Sequence, residues 1–290
     1  MSSQWDAASA KIVHANSKAT IAVVNGEPRW DELFSRYTVR YCQLQTAQWY
    51  SDGKEVWVTD RTGTTRIDAI LWRVGAIRLL PLYRSVLEII RFTGLPSVNP
   101  AETLLRCFDR LSMYNEMKIA GLPLLPQQIA IGHRSVEKMN PNLPCVIKVG
   151  NFHAGYGKAR ATSEEMLADL RDLVFAADDY VTAEPFVTYR SDIRCLAIGS
   201  KIWAMKRKGA AWKANTQTVE ATLLDQIPDA LGDYTTAAMR HLRADIVGLD
   251  FLEDEEGKYW LLECNDTPGL SGFPEDTAQS VADCLKRKMS

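Results

Sequence analysis

Several short apolar runs in this chain carry a charged residue where a strand would bury it. They are Leu143–Val149 with Lys148, Ile193–Ile198 with Arg194, Ile246–Leu252 with Asp250, and Tyr259–Cys264 with Glu263. Side chains alternate faces along a strand, so each charge shares a face with apolar neighbours. An unpaired charge in that position is costly. A chain built this way must turn those faces to solvent or gather the charges around something ionic.

The remaining pattern is that of an α/β protein. Residues 20–95 alternate strand and helix signals. Thr20-Ile21-Ala22-Val23-Val24 reads as a buried strand ending at Asn25-Gly26, Trp30 to Phe34 as a helix, Val39 to Leu44, Val56 to Thr59 and Ile67 to Val74 as strands, and Tyr83 to Phe92 as a helix stopped by Gly94. This is a βα lobe with a mainly parallel sheet. The chain then predicts a helix over Glu102 to Ala120 capped by Gly121, a helix from Ser163 to Ala177 with Ser163 as N-cap, and a helix over Ala237 to Ala244. The expected organisation is a flexible, polar N-terminus at 1–19 without the apolar core of a signal peptide, an α/β lobe at 20–100, a central subdomain at 101–185 and a C-terminal subdomain at 186–290.

Composition narrows the function classes. The 290 residues hold 34 Lys plus Arg against 36 Asp plus Glu, a formal net charge of -2, which argues against nucleic acid as the main partner. No run approaches the ~20 apolar residues of a membrane helix, since Arg84, Glu88 and Arg91 interrupt the best candidate, Leu79 to Leu95. The six cysteines form no CxxC pair, which leaves out zinc ribbons and redox dithiols and suits reduced thiols in a cytoplasmic protein.

Three groups of residues carry chemistry. Lys148 needs an anionic partner or solvent, and an edge-strand lysine at the surface satisfies the same pattern. Two residues later begins the Gly-rich stretch Gly150-Asn151-Phe152-His153-Ala154-Gly155-Tyr156-Gly157-Lys158, whose backbone N–H groups could cradle phosphate oxygens. Most such loops are plain hairpins, and this one lacks the Gly-Lys-Ser/Thr of a Walker loop. The second group is acidic. Leu261, Glu263 and Asn265 are expected on one face, Asp250 lies on the preceding strand, and Glu253 to Gly257 is a polar connection suited to a hairpin. Two carboxylates and a carboxamide suit Mg²⁺ that also holds nucleotide phosphates, while a pair of solvent-facing acids is the plainer alternative. The third group is cationic. Asp192 and Arg194 share a strand face, and Arg207 stands among Lys206, Lys208 and Lys213, with Asn215 following. Arginine suits bidentate contact with phosphate or carboxylate, and a generic basic loop accounts equally well for Lys206 and Lys208.

Taken in order, these pieces resemble the ATP-grasp superfamily. The order runs from the strand lysine and the Gly-rich loop through Glu184-Pro185-Phe186, Asp192-Ile193-Arg194 and the basic strand end to Asn215, Gly248-Leu249-Asp250 and Leu262-Glu263-Cys264-Asn265 with Pro268-Gly269. The chain resembles synapsins in Tyr83-Arg84-Ser85, Gly94 to Asn99, His153 to Lys158, Glu184-Pro185-Phe186 and Trp212 to Thr216. It resembles RimK-type ligases in Asp192 to Leu196 and Glu263 to Leu270.

The resemblance implies an ATP-grasp fold with an N-terminal βα pre-ATP-grasp lobe, and ATP with one or two Mg²⁺ (or Mn²⁺) as cofactors. It implies Lys148 on the α- and β-phosphates, and the loop with Gly155, Gly157 and Lys158 over the β- and γ-phosphates. Glu184 and Phe186 would lie along the adenine edge through hinge backbone groups and the Glu side chain, and Asp192 would belong to the nucleotide site. Asp250, Glu263 and Asn265 would hold metal. Arg194, Arg207 and Asn215 would act on the transferring phosphoryl group, with Lys206 and Lys208 left as alternatives to Arg207. Arg110 stands where the family usually has a second nucleotide lysine. RimK-type proteins join an amino acid to a carboxylate, which implies carboxylate and amine substrates, either small molecules or peptides, and an ADP-forming ligase. Synapsins imply an ATP-binding regulatory module instead, although Asn265 departs from the synapsin pattern. Arg73 and Arg84 are candidates for a substrate carboxylate, and relatives of this fold imply a homo-oligomer.

Overall fold

The computed structural model describes residues 18–74, 80–152, 156–175, 179–209, 212 and 218–290. The polar stretch 1–17 lies outside them. The described residues form two compact units, one of residues 18–74, 80–105 and 275–290 and one of residues 106–274.

The first unit is built on strand β1 (Thr20–Val24), whose last four residues are buried. It is followed by α1 (Trp30–Leu33), β2 (Thr38–Cys42), β3 (Gln48–Ser51), β4 (Val56–Asp60), β5 (Gly63–Ile67), β6 (Ala69–Trp72), α2 (Pro81–Thr93), β7 (Ser97–Val98) and α3 (Ala101–Arg106). The sheet β2-β1-β6-β7 is parallel throughout, as the alternating pattern predicts. The antiparallel meander β3-β4-β5 beside it was legible only at Val56 to Thr59, because its strands are half exposed and polar. The run expected from Ile67 to Val74 is divided at Asp68, whose carboxylate takes the Thr20 N–H at 2.7 Å.

The second unit holds α4 (Arg110–Ile119), β8 (Gln128–Ala130), α5 (His133–Val136), β9 (Cys145–Val149), β10 (Lys158–Ala161), α6 (Glu164–Phe175), β11 (Val181–Pro185), β12 (Tyr189–Ile198), β13 (Lys201–Gly209), β14 (Thr218–Leu223), α7 (Asp229–Leu242), β15 (Ile246–Asp254) and β16 (Tyr259–Asn265). The chain then returns to the first unit as α8 (Asp276–Met289). The helix expected over Glu102 to Ala120 is two helices. Cys107 to Asp109 break it, and Asp109 caps α4 by accepting the Ser112 N–H at 2.8 Å.

Two antiparallel sheets organise this unit, in the orders β10-β9-β11-β8 and β14-β13-β12-β15-β16. Each buries one face. Cys145, Ile147, Ala161, Val181 and Ala183 pack with Leu167 and Val174 of α6. Ile193, Cys195, Val247, Leu249, Phe251, Leu261 and Cys264 pack with Met113 and Met117 of α4 and Leu231, Ala238 and Leu242 of α7. Alternation therefore sends Lys148, Lys158 and Glu184 to the other face of the first sheet, and Asp192, Arg194, Arg207 and Asp250 to the other face of the second.

One expectation about faces is corrected. Leu261 does not share a face with Glu263 and Asn265. Leu261 pairs with Phe251 in the core, whereas Glu263 pairs with Asp250 and Asn265 with Gly248, with a register shift between Asp250 and Phe251. This β-bulge inserts Leu262 as the extra residue and so re-aims Glu263. Without it, Glu263 would lie opposite Leu249 and point into the core. Among the described residues no helix is long and apolar enough to cross a membrane.

Candidate nucleotide and metal site

In the first sheet Lys148 and Lys158 are direct cross-strand partners, and like charges held opposite one another call for counter-charge. Glu184 supplies it to Lys148 as a buried ion pair, and Gln127 Nε2 donates to the other Glu184 oxygen at 3.1 Å. Lys158 remains electrostatically exposed to its neighbours. Burial and Lys148 pull its pKa down to about 8, with Glu263 pushing the other way.

Gly157, next to Lys158, has φ +63°, and a Cβ there would come within 3.0 Å of both Val149 O and Phe152 Cδ2. Only glycine fits that turn without displacement. Arg110, the first residue of α4, ties the helix to the other end of the same loop. Its N–H donates to Asn151 Oδ1 at 3.0 Å, and its guanidinium donates to the Phe152 carbonyl.

In the second sheet two buried carboxylates are held by two arginines. Arg194 grips Asp250 in a fork, Nε to Oδ1 at 2.7 Å and Nη2 to Oδ2 at 2.6 Å. Arg207 Nη2 lies 2.6 Å from Asp192 Oδ1 and 3.1 Å from Asp250 Oδ1. Burial raises the Asp192 pKa to about 6, with Arg207 opposing and Asp250 reinforcing the rise. Burial would weaken the charge on Arg194, but Asp250 outweighs it and raises that pKa. Of the three adjacent cations only Arg207 points inward. Lys206 is half exposed at 3.8 Å from Glu253, and Lys208 is exposed.

Most of the residues named from the sequence thus gather on two sheet faces: Lys148, Lys158 and Glu184 on one, Asp192, Arg194, Arg207, Asp250, Glu263 and Asn265 on the other. Several of them already have partners within the protein, Asp250 included, since both of its oxygens accept from arginine. Asp192 has no exposed surface and its carboxylate pairs with Arg207. The Phe186 N–H donates to Pro144 O at 3.0 Å, so that hinge donor is already engaged, as is the Glu184 side chain. Gly155 and Asn215 lie outside the described residues, as does Lys213. Sequence reasoning missed Gln127 and Arg160. The Arg160 guanidinium sits 4.9 Å from the Phe186 ring centroid and 5.7 Å from that of Trp212. Its place on β10, two residues after Lys158 and so on the same face, was the available signal.

The donor set suits a hard cation. Asp250 and Glu263 are adjacent across the bulge and Asn265 follows on the same face, all oxygen donors of the kind that bind Mg²⁺ together with phosphate oxygens. No group of three or more His, Cys, Asp or Glu arranged for a metal occurs among the described residues, so nucleotide oxygens would have to complete the coordination.

Residues 104–290 match the protein family described as the synapsin ATP-binding domain. The chain belongs to that family. Its fold is the ATP-grasp fold: D-alanyl-alanine synthetase A from Vibrio cholerae superimposes over 95% of this chain and 99% of its own with a TM-score of 0.72, at 15% identity. Among relatives, synapsin of Drosophila melanogaster is 24% identical over 232 residues, which cover 71% of this chain and 22% of the fly protein. The chain thus spans about a fifth of that relative's length. Glutamate–LysW ligase ArgX of Sulfolobus acidocaldarius is also 24% identical, over 73% of this chain and 79% of its own. The family match begins at α3 and takes in both sheets of the second unit, with every metal and phosphate candidate named above.

Proposed function

We propose that this protein is an ADP-forming carboxylate–amine ligase. The observation that carries the reading is the grouping of Asp250, Glu263 and Asn265 on one sheet face with the buried Arg207 and the partly buried Arg194. A site meant only to hold ATP has less need of two arginines, one of them buried, beside its metal ligands. A substrate carboxylate oxygen attacks the γ-phosphorus of ATP, the bond to the β-phosphate oxygen breaks, and an acyl phosphate and ADP result. An amine then attacks the acyl carbon, inorganic phosphate leaves, and an amide forms as the amine loses a proton.

Such transfer is catalysed by positioning and charge neutralisation. Lys148 and Lys158 bind phosphate oxygens. The turn at Gly157 brings backbone N–H groups close to them. Arg194 and Arg207, held in orientation by Asp250 and Asp192, offset charge that builds on the transferring group. Asp250, Glu263 and Asn265 would hold Mg²⁺, which when bound draws together and neutralises the nucleotide phosphates. A glutamate ligase among the relatives makes glutamate the first amino acid to try as carboxylate or amine donor.

The test is a coupled assay for ADP with panels of carboxylates and amines. We expect ADP release that requires both substrates and falls by at least about 100-fold in Glu263→Gln, on the scale of lost charge stabilisation. Formation of AMP and pyrophosphate, or full activity in Glu263→Gln, would overturn it. Tight ATP binding with no carboxylate-dependent ADP release would favour the regulatory module that the family name suggests.

A further inference from the structure

The chain beyond β16 crosses the face of the second sheet that carries the candidate metal ligands, and two glycines mark where it crosses. Gly248 lies inside β15. It pairs with Asn265 on one side and with Leu196 on the other. It stands two residues before Asp250, so the two share a face. A Cβ on Gly248 would come within 2.7 Å of Pro268 Cβ and 3.5 Å of Pro268 Cγ. The buried Pro268 ring therefore stands on that face, in the place where a side chain of β15 would be. Four residues later, a Cβ on Gly272 would lie 2.9 Å from Met205 Sδ. Met205 belongs to β13 and faces the same way as Arg207.

From β15 to β13 is two strand spacings, about 10 Å, a span that the chain from Pro268 to Gly272 covers with some slack. Leu270 and Phe273 are buried along the way, and the Phe273 N–H donates to Leu270 O at 3.2 Å. The result is a strap from Pro268 to Phe273 laid across the strands.

The two contacts are not equivalent. Met205 meets Gly272 with the end of a flexible side chain, which can move aside. Gly272 is required by its backbone instead, at φ +83°. At Gly248 the backbone is that of an ordinary strand. Glycine is the weaker choice there, because it loses more freedom on folding and packs nothing. What it supplies is room. Its neighbour is a proline ring, closed onto the backbone and unable to swing away, so a Cβ there would displace the strap itself.

The strap continues directly from a candidate metal ligand. Asn265 is the last residue of β16, and its pairing with Gly248 ends that ladder. Asn265 Cβ is 3.7 Å from where a Gly248 Cβ would stand, and Pro268 lies over the same residue. One small residue thus meets both ends of the turn 265–268. We infer that Gly248 is a positioning residue for the metal site: the room it leaves seats Pro268, and the seated turn sets where Asn265 stands beside Asp250 and Glu263. This rests on the reading of those three as metal ligands given above; the seat itself is a matter of packing.

The experiment is calorimetric titration of a non-hydrolysable ATP analogue into the full chain, once with Mg²⁺ and once with EDTA. The ratio of the two affinities reads the contribution of the metal. A general loss of stability or of phosphate contacts lowers both affinities and leaves the ratio alone. Gly248→Ala is expected to lower the ratio by about tenfold, the scale found when a group supporting a metal ligand is altered, with binding in EDTA unchanged. Pro268→Gly should lower the ratio too. Gly248→Ala added to Pro268→Gly should cost nothing further, because the two act through one contact.

An unchanged ratio in Gly248→Ala, or losses that add in the double variant, would overturn the proposal. If Gly248→Ala does not fold, shown by loss of binding in EDTA as well, Pro268→Gly alone decides, and an unchanged ratio there overturns it. Glu263→Gln separates the proposal from the reading beneath it. A ratio lost in Glu263→Gln but kept in Gly248→Ala removes the seat and leaves the metal site. A ratio kept in Glu263→Gln removes the metal site, and the role of the seat with it.

Discussion

At the scale of single residues, the site is a problem of buried charge solved by pairing. Asp192 and Asp250 have no exposed surface, and each would be prohibitively costly alone. Arg194 and Arg207 make them tolerable and are in turn fixed by them. Lys158 is the exception, since its nearest influences include two other cations, Lys148 and Arg110. Its pKa near 8 leads to a pH dependence that can be signed. Below about pH 8 the lysine is charged whether or not nucleotide is present. Above it the free protein has lost the proton, while phosphate oxygens favour the charged form, so binding must take a proton up. MgATP affinity is therefore expected to be flat below about pH 8 and to fall above it, by at most tenfold per pH unit. Lys158→Met should bind more weakly at pH 7 and show no such slope, as measured by calorimetric titration across pH. A wild-type affinity that stays constant to pH 9.5, roughly one and a half units past that pKa, would count against it. That Arg207, and not Lys206 or Lys208, lies opposite Asp192 was available from the sequence. The turn Gly199-Ser200 joins Ile198 to Lys201, and counting back residue by residue sets Asp192 opposite Arg207.

At the scale of elements, strands were easier to read than their register. Alternation in Leu143–Val149 and Ile246–Leu252 assigned Lys148 and Asp250 to the correct faces, since the extra residue of the bulge beside Asp250 lies on the partner strand β16. The bulge at Leu262 could not be read, because Tyr259 to Asn265 contains no glycine or proline to mark it. Glu263 reaches Asp250 only through that extra residue. The broken helix follows from chemistry the sequence did display: Asp109 three residues before Ser112 is an N-cap signal, and Arg110 can hold the loop at Asn151 and Phe152 only if a helix begins there. Asp109→Ala is expected to cost about 1 kcal/mol, a fall in Tm of about 2–4 °C for a unit of this size. ATP affinity should drop with it, because the anchor at Arg110 loosens. A thermal melt and a binding isotherm on the same sample check both, and an unchanged melt would show that the cap does not matter.

At the scale of the whole molecule, a net charge of -2 conceals segregation, with cations on β9, β10 and β13 and acids on β15 and β16. The sequence led to the expectation of successive lobes, and the chain does not keep that order: its last helix packs into the first unit. No local pattern could announce this, because an amphipathic helix states which face it buries and not against what. In α8 the buried residues are Thr277, Val281, Ala282, Cys284 and Leu285, and the helix lies against β6 and β7. These strands have little other cover to spare, since β7 is two residues long. Leu285 has no exposed surface, so Leu285→Ala leaves a cavity and is expected to destabilise the protein by about 2–5 kcal/mol. Lys288→Ala, one turn on, should change stability by less than about 0.5 kcal/mol. Urea unfolding measures both. Hydrogen exchange locates the effect, because a helix that completes the first unit should lower protection in β6 and β7 when its anchor is cut back. Loss confined to β12 and β15 would mean that α8 supports the second unit instead.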